Sequence, residues 1–259
     1  YYNGILPKVV AKVGEKVKAG SVLMIDKNRP EIKFVSPVSG EVTAVNRGEK
    51  RKVLSIVVKP DAQIEYEEFG KKNVASLQGA EVKEVLLNAG MWPFIKQRPY
   101  DIIAAPLDTP RDIFVSAFYS APLAPNFDFI VKGQEADFQT GLNALAKLTN
   151  GKVYVGVRSG SVVSGMKGVE IVEVEGPHPA ANVGVQINHI KPVNKGEVVW
   201  TVNPADVIVI GRLFNKGVAD FSRMVAITGS ETTERGYVKT ISGCTIKSLV
   251  NGKVLGQEH

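Results

Sequence analysis

The sequence predicts a multi-domain protein that is all-β at its N-terminal end, α/β through the middle, and built around a small β-rich unit at the C-terminal end. Three observations carry that expectation. Glycines punctuate short β-branched runs over residues 1–60, apolar strands alternate with apolar-faced helices from Asp101 to about Val199, and two more β-branched runs follow residue 218. A chain of 259 residues is long enough for about two or more domains.

In the first region Val9-Val13, Ser21-Ile25, Glu31-Val35, Glu41-Val45 and Val53-Val58 read as strands, with Gly14, Gly20, Gly40 and Gly48 at the turns. The two halves echo each other, Gly14-Glu15-Lys16-Val17 answering Gly40-Glu41-Val42-Thr43 and Gly48-Glu49-Lys50. Gly14-x-x-Val17-x-x-Gly20 followed by Ser36-Pro37-Val38-Ser39-Gly40-Glu41-Val42 resembles the flattened barrel of biotinyl and lipoyl carrier domains. Such a carrier presents a lysine at a tight hairpin tip, and Lys27 lies near that place. Arg29-Pro30 lengthen the hairpin and the flanks match neither carrier pattern, so the barrel is expected to be purely structural.

Residues 61–98 read as a polar, charged connection followed by a helix. Val82, Val85, Leu86 and Ala89 keep the spacing of one apolar helical face, and Gly90 is placed to end it in a left-handed cap. Met91-Trp92-Pro93-Phe94-Ile95 is an apolar knot suited to core or interface.

Residues 99–217 read as a Rossmann-like α/β domain with a parallel sheet covered on both faces. Its strands are Asp112-Val115, Val153-Val157 and Glu170-Val174, and a helix with Phe138, Leu142, Leu145 and Leu148 on its apolar face stops before Gly151. Asn203-Pro204-Ala205-Asp206 opens another helix, since Asn caps free N–H groups and proline loses nothing at the first helical position; it runs to Asn215-Lys216-Gly217. Residues 218–259, with strands at Arg223-Gly229 and Tyr237-Thr240 and a short helix through Ile246, Leu249 and Val250, suit a β-grasp domain cut short at its end.

The chemistry expected of the chain is narrow. Cys244, the single cysteine, excludes a disulfide framework and a cysteine-ligated cluster, and with no nearby base it reads as a buried structural thiol. His178, His189 and His259 are too few and too separated for a zinc site, and no other metal ligand set is expected. No carboxylates cluster in sequence for acid–base work, so no catalytic residue is assigned. The glycines of Gly156-Val157-Arg158-Ser159-Gly160-Ser161 follow a strand without a clear helix after them, a poor phosphate loop.

Charge is uneven. Of the net +6, residues 1–60 carry +7 and the remainder −1. Arg47, Lys50, Arg51 and Lys52 form a basic cluster that reads either as a solvated loop or as a docking point for an acidic partner subunit or anionic headgroups. Nucleic acid is not expected, because no stacking aromatics interleave the cluster. No run reaches the ~18 apolar residues of a membrane span. The chain begins at Tyr1 without a basic-then-apolar leader, which is read as an internal segment and favours the cytoplasm.

The most distinctive string is Glu175-Gly176-Pro177-His178-Pro179-Ala180-Ala181-Asn182-Val183-Gly184-Val185-Gln186-Ile187-Asn188-His189. It reads either as a tight strand–helix junction or as a ligand or subunit contact through Gly176, His178, Gly184 and His189. Together with Val207-Ile208-Val209-Ile210-Gly211-Arg212-Leu213-Phe214 and with Phe34-Val35-Ser36-Pro37-Val38-Ser39-Gly40 and Asn46-Arg47-Gly48-Glu49-Lys50-Arg51-Lys52, it resembles the A subunits of bacterial sodium-pumping NADH:quinone reductases. The resemblance covers nearly the whole chain.

That resemblance implies a peripheral subunit on the cytoplasmic face of the bacterial inner membrane, partnered by other subunits of the pump and above all by the membrane-embedded one at the quinone end. It implies no independent turnover and no cofactor on this chain, with flavins and an iron–sulfur centre on other subunits. Ubiquinone or menaquinone is the small molecule it points to, for which Phe114, Phe118, Tyr119, Pro122 and Leu123 form an aromatic and apolar group. The alternative is a flavin- and NADH-binding module, since the architecture is also similar to the C subunit of the ferredoxin:NAD reductase complex and to the flavin-bearing subunit of respiratory complex I. Ala104-Ala105-Pro106-Leu107-Asp108-Thr109-Pro110 stands where those proteins have a glycine-rich loop, and their cluster cysteines are missing.

Overall fold

The computed structural model describes residues 3–255, so His259 lies outside the described residues. The N-terminal unit is built from β1 (Pro7–Val9), β2 (Lys16–Val17), β3 (Val22–Asp26), β4 (Lys33–Val35), β5 (Gly40–Arg47) and β6 (Val53–Pro60). They pair antiparallel in two sheets, β1-β3-β4 and β2-β5-β6. Val17, Leu23 and Val42 from both sheets share one small core with Val45, Ile56 and Val58, as period-two alternation requires of a half-buried strand. The hairpin carrying Lys27 is pinned rather than free. Buried Asp26 accepts from the Leu6 and Asn28 N–H groups at 3.1 Å and pairs with Arg29, whose guanidinium reaches the Ile103 carbonyl.

The polar connection after residue 60 is an ordered strap. Tyr66 bridges to Ala19 in the barrel and Glu68 to Val218 beyond, and the Phe69 and Lys72 N–H groups donate to the Gly217 and Phe214 carbonyls.

The middle of the chain runs α1 (Gly79–Asn88), β7 (Ile95–Arg98), β8 (Ile102–Ile103), β9 (Ile113–Ser116), α2 (Phe127–Val131), α3 (Glu135–Ala146), β10 (Val153–Val157), β11 (Glu170–Glu173), α4 (Val183–Ile190), β12 (Val199–Val202) and α5 (Pro204–Lys216). Its sheet has the order β11-β10-β9-β12-β7-β8. The expected parallel sheet is mixed. β9, β10, β11 and β12 run parallel to one another, while β7 runs antiparallel to β12 and β8 antiparallel to β7. The central sheet therefore draws on residues ahead of 99.

Both faces of this sheet are covered. On one, α3 and α5 approach so closely that a Cβ on Gly211 would lie 1.7 Å from the Asp137 carbonyl oxygen, and one on Gly141 would lie 2.1 Å from that of Val207. The two glycines are needed by contact, not by backbone angle. On the other face α4 lays Ile187 over Phe114 and Val199. Helix α5 has the expected ends, with the Asn203 side chain accepting from the Ala205 N–H, Pro204 in the first turn and Gly217 left-handed at φ 76°.

The C-terminal unit consists of β13 (Ser222–Ile227), β14 (Gly236–Ile241) and α6 (Ile246–Val250), the strands forming an antiparallel pair. It is tied to the middle by Arg212 of α5, only 4% exposed. Its guanidinium donates to the Gln134 side chain at 2.7 Å and to the Asp220 and Ser222 carbonyls at 3.0 Å. Cys244 departs from expectation, since its thiol is exposed on the turn after β14, beside the Thr240 hydroxyl at 3.0 Å.

At the opposite end of the sheet from the strand C-termini, buried Asp112 receives Lys191 Nζ and Arg111 Nε at 2.7 Å and the Lys152 N–H at 3.0 Å. Burial alone would raise its carboxyl pKa. The hydrogen bonds from Lys191, the Lys152 backbone and Arg111 outweigh that and hold it below the ordinary value.

Gly211→Ala is expected to lower stability by about 3 kcal/mol through overpacking of α3 against α5, read as a shifted urea midpoint at unchanged slope. Asp112→Asn should cost about 3 kcal/mol at neutral pH, because it removes the charge of a buried carboxylate that Lys191 and Arg111 share, Arg111 alone keeping a second carboxylate in Glu197. With a depressed folded pKa, the ionised carboxylate stabilises the fold above its unfolded value. The gap between wild type and variant should therefore hold at neutral pH and close as pH falls through that depressed pKa, in urea titrations run along a pH series.

Candidate functional site

A cavity of about 1060 Å³ opens at the C-terminal ends of β9 and β12. The position follows from topology. From β9 the chain crosses through α3 to β10 and goes on to β11, then returns from β11 through α4 to β12 on the other side of β9, so the direction of strand addition reverses between β9 and β12. Open α/β sheets receive ligands at such a crevice.

Each element contributes a side chain for a local reason. Phe118 and Tyr119 follow β9, while Asn203 ends β12 and caps α5, and all three line the cavity. The Tyr119 hydroxyl faces the Asn203 amide oxygen at 3.4 Å. Burial raises the Tyr119 pKa, so the phenol stays protonated at neutral pH. Lys96 and Arg98 stand two apart on β7 and so share one face, which looks onto the cavity. Asp206 sits in the first turn of α5 and holds Arg223 of β13 at 2.9 Å. Phe94 and Phe221 meet edge to face with centroids 6.2 Å apart, and β4 of the barrel adds Phe34 and Val35. The wall is thus aromatic on one part and charged on another, assembled from all three regions of the chain.

The charges are compensated but strained by burial. Burial pushes the Asp206 carboxyl up, against the pull of Arg223 and then of Lys96. It pushes the Lys96 ammonium down, against Asp101 and Asp206. Both shifts favour the neutral forms.

The residues singled out from sequence divide between this cavity and elsewhere. Phe118, Tyr119 and Gly184 line it. Phe114 is buried on the α4 face, stacked on Tyr154 at 5.0 Å, and Pro122 and Leu123 lie exposed beyond the lining. Exposed His178 meets the Ser120 hydroxyl at 3.2 Å, and that oxygen accepts from the Ala181 N–H at 3.0 Å. The distinctive string is thereby fastened to the β9 loop, with Gly176 and His189 exposed outside the cavity. Arg47, Lys50, Arg51 and Lys52 stand exposed at the tip of the β5–β6 hairpin, where Lys50 and Arg51 both take positive φ.

Sequence reading missed Lys96, Arg98, Asp206 and Arg223. Only the i, i+2 spacing of Lys96 and Arg98 hinted at them, and it lies in a four-residue strand too short to recognise. The Gly156 loop has another explanation than phosphate. A Cβ at Gly156 would lie 2.2 Å from Gln186 Oε1, and the Gln186 amide donates to Ser116 Oγ at 2.9 Å. Among the described residues no group of three or more His, Cys, Asp or Glu side chains could hold a metal ion, and no helix is long and apolar enough to cross a membrane.

Fold and cavity define a three-part mixed α/β protein whose parts converge on one switch-point cleft. Comparison with known families then matches residues 1–61 to the NqrA N-terminal barrel-sandwich hybrid domain, 77–219 to the NqrA second alpha/beta domain and 224–259 to the NQRA C-terminal domain. The chain belongs to the NqrA family. It is 38% identical over 258 residues to the A subunit of the Na(+)-translocating NADH-quinone reductase of Hahella chejuensis, covering 98% of this chain and 58% of that protein. It is 36% identical over 262 residues to the corresponding protein of Neisseria meningitidis serogroup A and 35% identical to that of Photorhabdus laumondii, in both cases covering 100% of this chain and 59% of the relative. The chain thus spans less than two thirds of the length of these relatives.

Because its folded pKa is raised, ionising Asp206 costs stability. Wild type should lose stability relative to Asp206→Asn as pH rises through the elevated value, by roughly 1.4 kcal/mol for each pH unit between folded and unfolded values. Urea unfolding at a series of pH values above about 4, the ordinary carboxylate range, reads it directly. A constant difference would place the titration elsewhere.

Proposed function

We propose that the chain serves a sodium-translocating NADH:quinone reductase as a peripheral subunit, placed at the quinone end on the cytoplasmic face of the bacterial inner membrane. It works with the other subunits of the pump, foremost the membrane-embedded one, and has no turnover of its own. Flavins and the iron–sulfur centre sit on those other subunits, and quinone, ubiquinone or menaquinone, is the small molecule this chain meets. In this reading residues 1–60 are a carrier-like barrel without the carrier's chemistry and 61–98 a connection and helix. Residues 99–217 are a Rossmann-like unit extended by β7, and 218–259 belong to a β-grasp unit.

One observation supports the quinone end above all. The switch-point cavity places Phe118, Tyr119, Phe94 and Phe221 beside hydrogen-bonding groups on Asn203 and Arg223, a lining that suits a flat ring with polar oxygens. The flavin and NADH alternative finds less support, since Gln186 fills the space beside Gly156. Docking is assigned to the basic hairpin tip, with Gly176, His178 and His189 as a second, outward contact.

Native mass spectrometry of the purified chain with short-chain quinone should show addition of one quinone, and Phe118→Ala should weaken it about tenfold, equivalent to ~1.4 kcal/mol. No quinone adduct on the wild type would sink the quinone-end reading. Reversing Arg47, Lys50 and Arg51 to glutamate should lower recovery of the assembled complex while leaving the chain's own thermal midpoint within a few degrees; equal recovery would remove the docking assignment.

A further inference from the structure

Among the described residues, the buried side-chain nitrogens without a hydrogen-bond partner are Arg98 Nε and Arg223 Nε. They lie in different regions of the chain, yet both side chains line the switch-point cavity. Both Nε atoms are themselves closed off from solvent, while the side chains that carry them stay 31% exposed for Arg98 and 27% for Arg223, so what the two forks offer the cavity is their terminal N–H groups. Neither arginine lacks a counter-charge. Arg223 gives Nη2 to Asp206 at 2.9 Å, and Arg98 Nε lies 3.4 Å from Asp101 Oδ1 without hydrogen-bond geometry. A guanidinium has five N–H donors in a fixed fork, and here each keeps part of that fork unused after its carboxylate has been met.

We infer that Arg98 and Arg223 form the specificity end of this cavity, recognising the acceptor oxygens of a flat, otherwise apolar ligand, a ring carbonyl or an aromatic carboxylate. Phe94 and Phe221 provide the apolar surface for the ring, and Phe118 is steadied by the Arg158 guanidinium 4.9 Å from its ring centre. Asp206 and Asp101 hold the two forks in place, so a ligand with the right oxygens meets the exposed terminal N–H groups of guanidiniums that are already positioned. A ring without oxygens leaves them unsatisfied, and the site rejects it. Arg223 belongs to the C-terminal hairpin and Arg98 to β7, so the ligand joins two parts of the chain. The inference rests on the quinone-end reading only for one of the probes below.

Isothermal titration of the full chain with three matched probes tests it: 2,3-dimethyl-1,4-naphthoquinone, 2-naphthoate and 2,3-dimethylnaphthalene. The two oxygen-bearing probes should bind wild type at least about tenfold more tightly than the hydrocarbon. Arg223→Gln and Arg98→Gln should each lose about tenfold for the oxygen-bearing probes, ~1.4 kcal/mol, and leave hydrocarbon binding unchanged. Arg223→Lys keeps the charge beside Asp206 without the fork and should recover only part of the loss, which guards against a glutamine variant that folds poorly. Arginine-dependent binding of naphthoate without binding of the quinone would uphold the inference and remove the quinone reading. Equal binding of the quinone by wild type, Arg223→Gln and Arg98→Gln would overturn the inference and leave quinone binding intact. Failure of all three probes on folded wild type would overturn both.

Discussion

The placement of the cavity's charged wall depends on one buried cation. Arg212, on the inner face of α5, spends its fork on the start of α3 through Gln134 and on the chain between α5 and β13 through the Asp220 and Ser222 carbonyls. A buried guanidinium is stable only where most of its donors are met by fixed acceptors. Two of the acceptors are the backbone oxygens of Asp220 and Ser222, so satisfying Arg212 fixes the path of residues 220–222. Phe221 and Arg223 flank Ser222, and their direction into the cavity follows from that path. Asp220 reinforces it, since its carboxyl, which burial alone would raise, is held low by the Ser222 side chain and backbone and by Arg212.

The same helix fixes the opposite boundary. Gly211 and Gly141 let α5 lie against α3 at backbone distance, which holds the α5 N-terminus close to the ends of β9 and β12. Asn203 and Asp206 therefore reach the cavity from the first turn of a rigid helix. An acid in that turn is favoured by the helix dipole, and Arg223 adds to that. Burial opposes both and raises the Asp206 pKa, as it lowers that of Lys96 beside it.

Much of this frame is legible in the sequence, for identifiable reasons. Helix α5 carries its own start and stop in Asn203, Pro204 and Gly217, and α1 and α3 show clean apolar faces, so local rules suffice. β10 and β11 are β-branched and stand between glycine turns. β12 is a four-residue buried strand with no alternation to mark it, and β7 hides because its cavity-facing side chains are Lys96 and Arg98 rather than apolar residues. A strand lining a polar cleft loses the hydrophobic signature by which strands are read. Cys244 is exposed against expectation because burial of a lone cysteine is only a residue-type tendency, and its turn position after β14 overrides it.

The cleft itself is the least legible feature, because no local pattern spans Phe34, Lys96, Tyr119, Asp206 and Arg223. What the sequence does contain is a glycine group after β10 that makes a poor phosphate loop, and the structure gives Gly156 another use. Gln186 lies where Gly156 leaves room, and its amide is bonded to Ser116 at the end of β9 and to the Ala180 carbonyl. The distinctive string around His178 is thus anchored into the space beside the sheet edge, closing one side of the switch point. The side that stays open faces the aromatic rings and the two arginines. Where open α/β sheets can meet phosphate through backbone N–H groups, this switch point presents two guanidinium side chains beside aromatic rings, and it is the rings that give the wall a surface shaped for a flat molecule.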